Sequence, residues 1–123
     1  MAFIDISANA LTYAEASEIY SEIIRNLDDR DRDHQEFYED LVKKCIRYAG
    51  IRAEWRQKTV QEKLDTDSSR TSAHDAVIRG LTIIGRLQGE KAEGWMNKLC
   101  MDDRKRIGDL ACYVALWSGL EAR

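Results

Sequence analysis

The densest run of side chains able to do chemistry is Arg70-Thr71-Ser72-Ala73-His74-Asp75. A guanidinium, two hydroxyls and an imidazole so close together could cradle a phosphate or a carboxylate. They would do so best at a helix start, where free backbone N–H groups and the positive end of the helix dipole attract anions. Arg70, Ser72 and His74 are therefore the candidate ligand-binding residues. The competing reading is structural: a hydroxyl of the run caps a helix, and Asp75 suits the first turn. His74 and Asp75 do not form a base with its orienting carboxylate, because adjacent helical residues point about 100° apart. A catalytic His74 would need carboxylates from other helices. The other histidine, His34, falls where an exposed helix start is expected.

A second candidate set is basic and aromatic. Arg47, Arg52, Arg56 and Lys58 surround Trp55, and Arg104-Lys105-Arg106 forms another clump. Cations interleaved with an aromatic can clamp and stack a single strand, but Glu54, Glu62, Asp102 and Asp103 lie beside them and cancel much of the field. Trp55 and Trp95 stand in polar surroundings, so Trp55, Trp95, Arg52 and Arg56 are the candidate protein-contact residues, of the types that dominate interface energetics. Each tryptophan could equally close an end of the domain's own core.

Several classes are argued against. The formal net charge is −3 despite 33% charged residues, which disfavours binding driven by phosphate neutralisation on a nucleic acid. There is no phosphate-binding glycine loop, nucleophile elbow or Glu-x-x-His pair, and Cys45, Cys100 and Cys112 show no zinc spacing. No metal, no cofactor and no catalytic residue is expected. Three scattered cysteines read as reduced thiols, with Cys45 and Cys112 buried, and place the chain in the cytoplasm. The start of the chain has neither the basic residues nor the apolar run of a signal peptide. No apolar run is long enough to span a bilayer, so no membrane partner is expected.

The elements that must position these residues are helices. Proline is absent and only seven glycines occur in 123 residues, too few turn-formers for a β-rich domain of this size. Thr12 and Glu15 fit a capping box before a stripe of Ala16, Ile19, Tyr20, Ile23, Ile24 and Leu27. Asp33 with Glu36 signals a second helix, whose stripe of Phe37, Leu41, Cys45 and Tyr48 runs on past Gly50 to Trp55. Thr59 and Glu62 open a short helix to about Leu64, and Asp65 to Ser69 reads as a loop. A third long helix follows from about Arg70 to Gln88, with Gly89 placed to end it. Gly80 and Gly85 inside it imply a close helix crossing. Glu90 to Cys100 is ambiguous, and Asp102 reads as the cap of a last helix that is apolar nearly all round, through Leu120. Such a helix is either central to the core or part of an oligomer contact. The expectation is one all-α domain over residues 1–123, with residues 1–12 as an N-terminal arm. Its architecture would be a four-helix bundle or an irregular helical array with one or two extra short helices.

Three stretches are shared with a known group of proteins: Tyr48-Ala49-Gly50-Ile51-Arg52-Ala53-Glu54-Trp55, Arg70 to Ile78, and Arg106-Ile107-Gly108-Asp109-Leu110-Ala111-Cys112-Tyr113. In this order they resemble a family of small uncharacterised bacterial helical proteins, often encoded on prophages or mobile elements. The resemblance covers roughly Tyr38 to Arg123. It implies a bacterial cytosolic protein that binds a host or phage component, and carries over no active site.

The functional expectation is a non-enzymatic protein-interaction module, a regulator or inhibitor that contacts another protein or a second copy of itself. The alternative is a helical domain that binds a small anion or nucleotide at the start of the third helix.

Overall fold

A computed structural model describes residues 10–121, with side chains through residue 119. The fold is all-α, as expected. Four long helices, α1 (Tyr13–Arg25), α2 (Arg32–Trp55), α3 (Val60–Gln88) and α5 (Arg104–Glu121), are joined by a short helix α4 (Glu93–Leu99) that follows a 3-10 turn at Gly89–Ala92. No helix among the described residues is long and apolar enough to cross a membrane. The expected arm lies outside the described residues as far as residue 9, and the side chain of Leu120 lies outside them too.

Both capping boxes form. Thr12 Oγ1 accepts from the Glu15 N–H at 3.1 Å and Glu15 accepts from the Thr12 N–H at 3.1 Å. Thr59 and Glu62 repeat the exchange at 3.2 and 3.0 Å. Two other caps are displaced from expectation. Asp31, not Asp33, caps α2 by accepting from the Asp33 N–H at 2.9 Å. Asp103, not Asp102, starts α5 by accepting from the N–H groups of Lys105 and Arg106. In both places two aspartates close in sequence are able to fill one role, and only one of them accepts from the free N–H groups.

The larger correction concerns α3, which runs unbroken through the expected loop at Asp65 to Ser69. No glycine or proline interrupts that stretch, and its polar side chains bond along the helix. Thr66 Oγ1 donates to the Glu62 carbonyl at 2.7 Å, Gln61 donates to Asp65 at 3.0 Å, and Arg70 pairs with Asp67 at 3.2 Å. Hydroxyls and carboxylates that favour loops when alone are here satisfied at i, i+3 and i, i+4. The run from Arg70 to Asp75 therefore lies inside a helix and has no free N-terminal donors to offer.

α2 and α3 are antiparallel, with Leu41 against Gly80 and Tyr48 against His74. A Cβ at Gly80 would sit 3.0 Å from Leu41 Cδ1, and one at Gly85 2.8 Å from Met96 Sδ, the close crossings that two mid-helix glycines imply. Every residue from Ile107 to Ala115 is buried, because α5 is enclosed by α1, α2 and α3. The all-round apolar character of this helix thus comes from its place at the centre, and needs no second chain. Cys45 and Cys112 are buried and Cys100 is exposed; none of the three is in a disulfide.

Two side chains depart from the expected faces on α2. Phe37 is exposed, while Tyr38 turns inward and shares a hydroxyl hydrogen bond with Tyr20. His34 is buried, its Nδ1 accepting from the Asp28 N–H at 3.3 Å.

Candidate functional site

A cleft of about 300 Å³ opens between the C-terminal half of α2, the middle of α3 and the start of α5. Its walls are Tyr48, Arg52 and Trp55 from α2 with Arg56 just past its end, Arg70, Thr71 and His74 from α3, and Arg104 and Lys105 from α5. Five of these side chains are cations and none is acidic. Two sets of residues that were separate in the sequence thus share one cavity. Antiparallel packing of α2 on α3 sets Arg52, Trp55 and Arg56 opposite Arg70 and His74. The first turn of α5 then closes the end.

The cations are held in different ways. Arg52 pairs with the buried Asp109 at 3.0 Å and donates to Cys112 Sγ at 3.6 Å. Arg70 lies over the Trp55 ring, 4.3 Å from its centroid, a cation–π contact that fixes the guanidinium plane. Arg104 pairs with Asp75 at 2.9 Å. Asp109, Asp67 and Asp75, which pair with three of the arginines, do not line the cleft. Lys105 is exposed and forms no ion pair among the described residues. The charged side chains of the lining are thus all positive although the chain as a whole is acidic.

His74 forms part of the wall and is 6% exposed. Its ring packs edge-on against Tyr48, and its Nε2 bonds the Arg104 carbonyl at 2.7 Å. Burial, opposed by that carbonyl bond and reinforced by the Arg104 charge, holds the imidazole below its ordinary pKa. Burial likewise pushes the Tyr48 phenol up, so it remains a protonated hydroxyl at neutral pH. Trp55, Tyr48 and the guanidinium planes give the cleft flat surfaces as well as charge.

Not all expected site residues belong. Ser72 is exposed and outside the cleft, because it lies on the far side of α3 from its neighbours Arg70 and His74. Trp95 is 0% exposed and presents no surface to a partner. Its Nε1 donates to Gln88 at 2.8 Å, and Gln88 in turn donates to the Ile23 carbonyl at 3.0 Å, so the indole is satisfied inside the core. The polar residues around Trp95 in sequence belong to the outer sides of α4 and its 3-10 turn. Arg52, Arg56 and Trp55 do face the cleft. Arg106 leaves the basic clump altogether, donating to the carbonyls of Leu99, Ala10 and Lys98. Tyr48 reads as core in the sequence, and Arg104 and Lys105 read as a separate basic clump that only tertiary packing brings to α3.

Among the described residues no group of three or more His, Cys, Asp or Glu side chains is arranged to hold a metal ion. The chain matches no protein-family model, no curated protein and no solved structure.

Proposed function

We propose that this protein binds a small anionic ligand, bearing phosphate or carboxylate, in the cleft between α2, α3 and α5. The observation that carries the reading is a wall with five cationic side chains and no carboxylate. Arginine forks and a lysine supply charge-assisted donors. Trp55 and Tyr48 supply stacking surfaces for a ring attached to the anion. A volume of about 300 Å³ is at the low end for ligand sites, which favours a free oxyanion, a small organic acid or a mononucleotide over anything larger. A bacterial cytosolic setting, carried by the resemblance of three stretches and consistent with three cysteines outside any disulfide, belongs to the same proposal.

Amide-resolved NMR titrations with inorganic phosphate, AMP and citrate at low salt test this. The expected result is saturable shifts confined to the cleft, weakened by added salt. Lys105→Ala, at an exposed position, should lower affinity roughly threefold to tenfold without unfolding the chain. Absence of cleft shifts with all three ligands at millimolar concentration would overturn the reading.

A second reading, contact with a protein partner or a second copy, is favoured by one patch. Val60 is 77% and Leu64 69% exposed beside Trp55, and with Lys63 and Asp67 they line a shallow apolar depression. Light scattering tests the self-association form. A wild-type mass above 14.2 kDa that returns to the monomer in Leu64→Asp supports it. A wild type that stays monomeric at every concentration counts against it.

A further inference from the structure

Two buried atoms of cleft residues lack a hydrogen-bond partner among the described residues: Arg70 Nε and His74 Nδ1. Native proteins seldom leave such atoms unpaired, since each gives up its hydration with no bond in return. Their roles follow from their chemistry. Guanidinium nitrogens only donate. The Arg104 carbonyl only accepts, so the His74 Nε2 that meets it at 2.7 Å carries the ring proton. The neutral ring then shows a bare lone pair at Nδ1. Burial favours that neutral form. Arg70 and His74 are four residues apart on α3, on one face of the helix. Two residues that line the cleft thus carry one unmet donor and one unmet acceptor, four residues apart on α3, each covered by neighbouring side chains.

An anion made only of acceptor oxygens would answer Arg70 and set its lone pairs against that of His74. An oxyanion that keeps one proton would answer both. Resting on the reading above, we propose that the ligand's anionic group is a phosphate retaining one proton, whose P–OH donates to His74 Nδ1 while an ionised oxygen accepts from Arg70 Nε. The cleft then selects hydrogen phosphate against fully ionised sulfate. The groups around His74 that share in this are Tyr48 and Arg52 of α2, Arg70 and Asp75 of α3, and Arg104 and Lys105 of α5, with Asp109 one contact further on through Arg52.

Calorimetric titrations of the wild type with inorganic phosphate, sulfate and glycerol phosphate at pH 6 and pH 8 test the proposal. At pH 8 inorganic phosphate still carries a proton, so it should bind roughly tenfold or more tighter than sulfate. A phosphate ester loses its last proton near pH 6. Glycerol phosphate should therefore bind at the lower pH and weaken at the higher. This arm separates free phosphate from an ester as the source of the group. Sulfate carries no proton at either pH, so it should bind weakly at both. His74→Phe keeps a ring against Tyr48 and should bring the phosphate-to-sulfate ratio close to one. Should that variant unfold, the 15N resonance of His74 Nδ1 in the wild type decides, since it should move on adding phosphate. Equal binding of phosphate and sulfate at pH 8, with that resonance unmoved, overturns the proposal and leaves anion binding intact. If neither anion binds, this proposal falls, and the anion-binding reading is decided by AMP and citrate.

Discussion

The imidazole of His74 connects the cleft to the pH dependence of the fold. Its pKa is depressed by burial, against the raising effect of the Arg104 carbonyl. The unfolded chain therefore binds a proton at this position at a pH where the native chain does not. Native stability rises with pH across that window, and so is lost as pH falls below about 6.5, the ordinary histidine value. Thermal unfolding from pH 8 downward should show this loss in the wild type. His74→Phe should lack that component and keep only the decline from carboxylates at lower pH. Identical profiles would mean that the ring is solvated in the native state. At this scale the sequence was a partial guide. Arg70 and His74 are legible because a four-residue spacing puts them on one face wherever the helix begins. Ser72 is not part of the site because that same spacing turns it away. The pairing of His74 with Arg104 joins residues thirty positions apart, and no local pattern encodes it.

Two glycines in helix interiors predict opposite outcomes. A Cβ at Gly50, within α2, would meet nothing within 4 Å. Gly50→Ala should therefore stabilise the protein by about 1 kcal/mol, the difference in helix propensity. At Gly108, within α5, a Cβ would lie 3.0 Å from Tyr48 Oη and 3.4 Å from Arg52 Nη1. Neither neighbour is free to retreat, since Tyr48 packs on His74 and Arg52 is held by Asp109. Gly108→Ala should lose its propensity gain to overpacking and cost about 1 kcal/mol or more, and it should also disturb anion binding. Urea unfolding of the two variants checks both signs. Elements were the most legible scale: capping boxes at Thr12 and Thr59, continuation of α2 past Gly50, and termination at Gly89 follow from local rules. The break expected at Asp65 to Ser69 fails because polar side chains there bond along the helix. That continuation is what carries Arg70 and His74 to the middle of α3, opposite α2, and so assembles the cleft.

Across the whole molecule, α5 ties the N-terminal segment to the cleft through Arg106 and Asp109, one turn apart. Arg106 donates to carbonyls at Ala10, Lys98 and Leu99. Asp109, 1% exposed, accepts from the N–H groups of Ala10 and Leu11 at 3.0 and 2.9 Å while its other oxygen meets Arg52. The carboxylate that pins the chain entry is thus the same one that neutralises a cation of the cleft wall. Asp109→Asn keeps the shape and one acceptor oxygen but removes the charge. It should cost about 2 kcal/mol, less than the 3–5 kcal/mol of deleting one partner of a fully buried pair, because Arg52 is partly solvated. The same change leaves the Arg52 charge without the Asp109 carboxylate, so a bound anion should interact with it more strongly. Since a ligand that binds only the native state stabilises it in proportion to its affinity, added phosphate should raise the unfolding temperature of Asp109→Asn by more than it raises that of the wild type. Two melts of each protein, with and without phosphate, decide the matter. If phosphate stabilises the variant less than the wild type, the Arg52 charge is not felt in the cleft, and Asp109 serves the fold alone.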